Sequence, residues 1–190
     1  VHHLIEEGWD DIVGLEKSAI PTDIGSTSHA SDFCYMTTHD KLNVFTSTYS
    51  REFYKKRGNY IEIGGMEVAR KDDDERMLEL IRKVGSGKAF GTNAHMISAA
   101  EAKEKFPLLE ESEIQGALWD PDAGLVTPRS QKVAGDLVDE AVASGKLKAF
   151  AYTPATKILV EDGVAVGVET PKGTIMADYL VLCAGIWGSL

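Results

Sequence analysis

The sequence predicts an α/β (α+β) fold in which one layer is begun, left and resumed, and three observations carry that prediction. Residues 1–8 read as the end of a helix stopped by Gly8, and a turn leads into the apolar strand Ile12–Leu15, which closes on Glu16. Helix end, turn, strand and acid form the back half of a βαβ unit. An amphipathic helix from Thr127, with the strands after it, returns to that layer. Between them the chain alternates short strands and helices, an excursion into a second layer. The division is residues 1–50 with 127–190 as one discontinuous domain and 51–126 as the other.

Taken in order, Ile12–Leu15 is a short apolar run bounded by turn residues, which suits a buried parallel strand. Gly25-Ser26-Thr27-Ser28-His29-Ala30 reads as a loop of small residues, and Ser31-Asp32 as a helix N-cap after it. Leu42, Phe45, Tyr49 and Phe53 recur at helical spacing, a stripe expected to face the core. Residues 59–70 alternate as strand, with Gly64-Gly65 as a bend or close backbone approach. Residues 72–84 form a charged helix with a solvated face, ended by the turn Gly85-Ser86-Gly87. A short strand over 94–97 precedes the capping box Ser98-Ala99-Ala100-Glu101, whose helix stops at Phe106-Pro107. Residues 115–119 form a strand halted by Asp120-Pro121-Asp122-Ala123-Gly124. Thr127-Pro128 opens a helix whose Val133, Leu137, Val138, Ala141 and Val142 keep helical spacing until Gly145. A meander over 149–177 turns at Asp162-Gly163 and Lys172-Gly173. Residues 178–185 read as a buried-type strand ending on small residues, and 186–190 as the start of a helix.

The bulk properties narrow the function. With 190 residues, 43% hydrophobic and 26% charged, the chain is an ordinary globular sequence, enough for one domain or two small interleaved ones. A net charge of −10 argues against nucleic acid or an anionic membrane as the main partner. Cys34 and Cys183 form no CxxC pair and no disulfide framework, which points to a reducing compartment. No signal peptide is visible, and the longest apolar run, about 179–187, is too short to span a bilayer. The sequence reads as cut at both ends, through elements a domain would need.

The chemistry concentrates at Gly25-Ser26-Thr27-Ser28-His29-Ala30. Small residues let a ligand approach the backbone, successive N–H groups and hydroxyls suit a phosphate, and the histidine can serve as base, ligand or nucleophile. A plain polar loop with an exposed histidine is the competing reading. Glu16 ends its strand where a dinucleotide-binding fold holds ribose hydroxyls, and a solvated surface acid is the alternative. His2, His3 and His95 form no metal-ligand cluster.

Glu16, the Ser-Thr-Ser-His-Ala segment, Gly64-Gly65-Met66-Glu67-Val68-Ala69, Pro121-Asp122-Ala123-Gly124-Leu125 and Cys183-Ala184-Gly185-Ile186-Trp187-Gly188 occur in this order. The set resembles the FAD-dependent dimethylglycine oxidase and dimethylglycine/sarcosine dehydrogenase family, within the D-amino-acid-oxidase-like flavoproteins, nearly end to end. The resemblance implies an incomplete Rossmann-like FAD-binding domain interleaved with part of a sheet-based substrate domain. It also implies a small-molecule amine substrate, an N-methylated glycine or related secondary or tertiary amine, oxidised by hydride transfer to FAD. Tetrahydrofolate is implied as an acceptor in the parent protein, and the bacterial cytoplasm or the mitochondrial matrix as the location.

In that family the histidine of Ser-Thr-x-His carries the flavin covalently, which falls on His29. The ribose acid falls on Glu16, with Lys17 beside it, and the segment along the pyrophosphate and ring falls on Ser26, Thr27 and Ser28. The residue four after the histidine, near the flavin, is Phe33. A backbone contact to the adenine edge falls on or near Ala155, and Ala184 and Gly185 lie along the cofactor, with Trp187 a lesser candidate. The glycine-rich phosphate turn would precede Val1 and the catalytic histidine and tyrosine would follow Leu190, so no catalytic residue falls within these residues and the piece alone is expected to be inactive. Ser31-Asp32-Phe33-Cys34 stands where the family usually has a glycine and an aliphatic residue. Two other readings remain: a non-catalytic relative serving as a regulatory or folate-handling subunit, and a piece that self-associates through cut sheet edges.

Overall fold

A computed structural model describes residues 1–188. In chain order the elements are α1 (His2–Glu6), β1 (Ile12–Leu15), α2 (Ser26–His29), β2 (Phe33–Cys34), α3 (Lys41–Lys56), β3 (Tyr60–Glu62), β4 (Gly65–Arg70) and α4 (Asp74–Ala89). They continue with β5 (His95–Ser98), α5 (Ala99–Lys105), β6 (Ile114–Asp120), β7 (Gly124–Val126), α6 (Ser130–Ala143), β8 (Leu147–Phe150), β9 (Lys157–Glu161), β10 (Val164–Thr170) and β11 (Gly173–Met176). Three-residue 3-10 turns lie at Glu111–Glu113 and Gly185–Trp187. The mixture of parallel and antiparallel sheets with helices is the expected α/β (α+β) class.

The chain forms two compact units: Val1–Ala30 with the chain from Arg129 onward, and Ser31–Pro128. The first boundary lies earlier than the sequence-based division at residue 50, because α3 packs on β3 within the second unit.

In the first unit β1 and β8 pair in parallel, Ile12 opposite Leu147 and Leu15 opposite Phe150. Among the described residues β1 has one strand neighbour, and it is half-buried, not fully buried as expected; Val13 is 37% exposed. Helix α6 lays Val133 and Ala141 into the unit with Leu147, all buried. It starts at Ser130, later than Thr127-Pro128 suggests, because Thr127 is tied elsewhere: its N–H donates to Asn59 O at 2.9 Å and its carbonyl accepts from Asn59 Nδ2 at 2.8 Å. The meander is the antiparallel sheet β11-β10-β9, turning at Asp162-Gly163 as expected. Residues 178–185, expected as a strand, pair with no strand among the described residues, and Tyr179, Val181 and Leu182 are exposed. An apolar run becomes a strand only where a neighbour supplies the ladder. The predicted helix start over 186–190 appears as the Gly185–Trp187 turn, with Ser189 and Leu190 outside the described residues.

In the second unit two antiparallel sheets have the orders β2-β7-β3 and β4-β6-β5. The central strand β6 buries both faces: Leu118 joins Ala69, Leu80, Val84 and Ala94 under α4, and Ala117 joins Ile97 and Ala102 under α5. Helix α5 opens with the predicted capping box, Ser98 and Glu101 satisfying each other's backbone N–H groups. Gly64 makes the bend between β3 and β4 at φ +76°, a left-handed conformation in which glycine has no Cβ penalty.

Three expectations fail here for reasons of packing. Ser31-Asp32 caps no helix; β2 follows, and Asp32 takes φ +64°. Of the stripe Leu42, Phe45, Tyr49 and Phe53 of α3, the first three are at least half exposed and Phe53 is partly buried, while Val44 is the helix residue that is buried. Helix α4 continues through Gly85-Ser86-Gly87, because Gly87 packs where a Cβ would stand 2.4 Å from Thr92 Oγ1 and 2.8 Å from Thr37 Cγ2. Gly85 in the same helix meets open space, with nothing within 4 Å of a Cβ. Gly85→Ala is therefore expected to stabilise the protein by about 0.5–1 kcal/mol, read from the urea midpoint at unchanged slope. A loss of stability would restore the turn.

Candidate cofactor site

The site is built at the carboxyl end of β1. The backbone there is fully engaged: Glu16 N–H donates to Phe150 O at 3.0 Å, Thr153 N–H donates to Glu16 O at 2.8 Å, and Tyr152 N–H donates to Ser18 O at 2.9 Å. The chain after β8 is thereby clipped to the end of β1. The half-buried Glu16 side chain curls onto its own loop, where Oε1 accepts from Ser18 N at 2.9 Å and Ser18 Oγ at 3.2 Å. Ser18 Oγ in turn bonds Thr22 Oγ1 at 2.8 Å.

The Ser-Thr-Ser-His run is not a loop but the single helical turn α2. Ser28 closes it twice onto Gly25 O, through its N–H at 3.2 Å and its Oγ at 2.8 Å. His29 Nδ1 lies 3.0 Å from both Gly25 O and Ser28 Oγ. A carbonyl oxygen only accepts, so Nδ1 carries the hydrogen and Nε2 keeps the lone pair of the neutral ring. The ring is exposed, and Nε2 makes no hydrogen bond among the described residues.

A cleft of about 230 Å³ opens within this unit, lined by Gly14, Leu15, Glu16, Thr22, Thr27 and Ala149 among others. Of the residues singled out in the sequence, Glu16 and Thr27 meet at this cleft. Ser26, Ser28 and His29 share the α2 turn that carries Thr27. Lys17 sets its ammonium 3.8 Å from the centre of the Trp187 ring, a cation–π contact that brings the Gly185–Trp187 turn beside the end of β1. Ala184 caps that turn and Gly185 opens it at φ +55°. Ala155 is exposed, two residues past the Thr153 clip. Phe33 belongs to the other unit, opposite Leu125 in the β2–β7 pair, with its ring centre 5.9 Å from that of Tyr35.

Sequence reasoning missed the residues that hold the turn. Gln131 Nε2 donates to Thr22 O at 2.9 Å, and Arg129 Nη2 reaches Ser28 O at 3.4 Å. Both come from the start of α6, about a hundred residues away in sequence, and no local pattern marks them. Ser18 and Thr22 were findable as hydroxyl residues just past a strand-end acid.

Glu67 is half-buried in the second unit; burial opposes its ionisation, but Lys83, the Tyr35 hydroxyl and Arg76 hold its carboxyl below the usual range. Burial, then the Asp32 charge, pushes the Cys34 thiol up, the wrong direction for a nucleophile. No group of side chains that could hold a metal ion occurs among the described residues.

A parallel strand that ends on a carboxylate beside a cleft is an arrangement of α/β nucleotide-binding proteins. The particular family is given by sequence: the profile of the FAD dependent oxidoreductase family matches residues 1–190, and the chain belongs to that family. It is 29% identical over 193 residues to the mitochondrial pyruvate dehydrogenase phosphatase regulatory subunit of Mus musculus, covering 98% of this chain and 21% of that protein. It is also 29% identical over 202 residues to mitochondrial sarcosine dehydrogenase of Homo sapiens, covering 100% of this chain and 21% of that protein. L-proline dehydrogenase from P. horikoshii superposes with a TM-score of 0.80 at 27% identity, over 92% of this chain and 46% of that one. The chain thus spans about a fifth of the length of these curated relatives. No helix among the described residues is long and apolar enough to cross a membrane.

Proposed function

We propose that this chain is part of a flavin oxidoreductase that oxidises N-methylated glycines or related secondary and tertiary amines, with the flavin attached to His29. The observation that carries the reading is the hydrogen-bonded turn that holds His29 Nδ1 and leaves Nε2 with its lone pair. FAD, when bound, supplies the hydride acceptor.

The residues present fit such a group. Glu16 uses Oε1 on Ser18, and Oε2 makes no hydrogen bond among the described residues, so it can accept from ribose hydroxyls. The cleft walls at Gly14 and Ala149 carry little or no side chain. Its volume is below the roughly 300–1,000 Å³ of complete ligand pockets, so it suits part of a dinucleotide rather than all of one. Thr27 stands at the cleft, and Ser26 and Ser28 flank it on the turn. Lys17, Phe33, Ala155, Ala184 and Gly185 enter the reading through the family resemblance. Sarcosine dehydrogenase and L-proline dehydrogenase, by their names, act on secondary amines, which supports the substrate class.

The test is anaerobic mixing of the full-length natural protein with sarcosine, dimethylglycine and L-proline in turn. Bleaching of the flavin band by one or more of these amines is the expected result. Bound flavin that none of them reduces would overturn the oxidoreductase reading. It would favour a regulatory subunit, a second reading supported by a relative of that name at the same identity.

A further inference from the structure

Gln131 lies on the first turn of α6, part-buried at the rim of the cleft. Its amide donates to the carbonyl of Thr22 at 2.9 Å. Thr22 is a junction of two paths. Its hydroxyl bonds Ser18 Oγ at 2.8 Å, and Ser18 bonds the Glu16 carboxylate. In the other direction Ile24 N–H donates back to Thr22 Oγ1 at 3.3 Å, and a Cβ on Gly25 would lie 3.1 Å from Thr22 Cγ2, so the methyl packs under the start of α2. Gly25 supplies the carbonyl that holds His29 Nδ1.

Helix α6 supports the same stretch at two further points. A Cβ on Gly135 would stand 3.2 Å from Pro21 Cγ, so glycine there lets the helix lie against the proline. Arg129 reaches the Ser28 carbonyl. A four-residue helix is too short to hold its own geometry. Its shape depends on what grips its flanks, and Gln131 is the neutral donor that does so from a regular element.

We propose that Gln131 is a positioning residue: through Thr22 it fixes the turn that presents His29, and so sets how fast His29 takes its covalent flavin. The proposal rests on the reading of His29 as the attachment residue. Attachment joins Nε2 to the flavin's methyl carbon: the methyl and the imidazole each give up a hydrogen, and the electron pair passes by way of the flavin to dioxygen from the air, which leaves as hydrogen peroxide. The step is sensitive to placement because such a bond forms only from a narrow range of approach. Losing one hydrogen bond at this junction is expected to slow it about tenfold.

Three forms of the full-length protein decide this: wild type, Gln131→Met, which keeps the volume and loses the donor, and Gln131→Lys, which restores a donor. Apoprotein is mixed with FAD, and acid-stable flavin is followed over time beside total bound flavin. Gln131→Met should bind FAD yet attach it about tenfold more slowly, and Gln131→Lys should recover much of the rate. Hydrogen exchange in the same proteins gives a flavin-independent reading. The amides of residues 22–29 should exchange faster in Gln131→Met, while those of β1 and β8 should not change. Equal attachment rates in wild type and Gln131→Met would overturn the proposal, as would unchanged exchange over residues 22–29. Wild type that never acquires acid-stable flavin would instead overturn the reading of His29, a separate failure.

Discussion

His29→Ala in the full-length protein is expected to abolish the flavin that stays with acid-precipitated protein, while wild type keeps its colour in the pellet. The physical basis is the division of labour within the imidazole. Gly25 O can only accept, so the ring nitrogen facing it carries the hydrogen. The other nitrogen then holds the lone pair, on a ring fixed by two hydrogen bonds to its own turn. An alanine removes the only atom in the α2 turn able to form a stable bond to the cofactor, because serine and threonine hydroxyls are poor nucleophiles without a base. Flavin that washes off both forms would remove the covalent link and leave a non-covalent family member.

Gly124→Ala is expected to cost about 3 kcal/mol of stability, near the upper end for overpacking. Gly124 lies in the middle strand of the β2-β7-β3 sheet, opposite Cys34 on one side and Glu62 on the other. A Cβ would stand 2.2 Å from the Ile61 carbonyl oxygen and 2.8 Å from Tyr60 Cζ. The oxygen belongs to the neighbouring backbone, and the Tyr60 ring is pinned by its hydroxyl, which donates to Asp122 O at 3.0 Å. Neither can yield without opening a ladder. Denaturant unfolding would show it, and a loss below 1 kcal/mol would mean that the sheet gives way. Gly85→Ala, with the opposite sign expected, is the internal contrast: both are glycines inside regular elements, and only their neighbours differ.

What the sequence made legible was local. Ile12–Leu15 with Glu16, the capping box at Ser98 and Glu101, the bend at Gly64 and the turn at Asp162-Gly163 are each written within a few residues, and the structure has them. The failures came where distant contacts decide. Gly85-Ser86-Gly87 looks like a turn until Thr37 and Thr92 close on Gly87. Thr127-Pro128 looks like a helix start until Asn59 claims Thr127. Strand β7 went unread because its three residues sit directly behind a turn. At the site, Glu16 and the Ser-Thr-Ser-His run stood out by residue type. Gln131 did not, because nothing in its neighbourhood of α6 says that Thr22 lies within reach.

The pairing of β2 with β7 has a consequence for the order of folding. Phe33 faces Leu125, and Val126 N–H donates to Asp32 O at 2.8 Å, so the inserted unit begins and ends at one spot. For the outer unit, whose β1 must find β8 across the whole insertion, roughly 100 residues then count as a connection of a few. The loop between β1 and β8 then shrinks from about 130 residues to about 35, nearly two halvings at about 0.6 kcal/mol each, so folding the insertion first eases the β1–β8 pairing by about 1 kcal/mol. The segment that looks like an interruption of the fold thereby becomes the clasp that draws its two halves together.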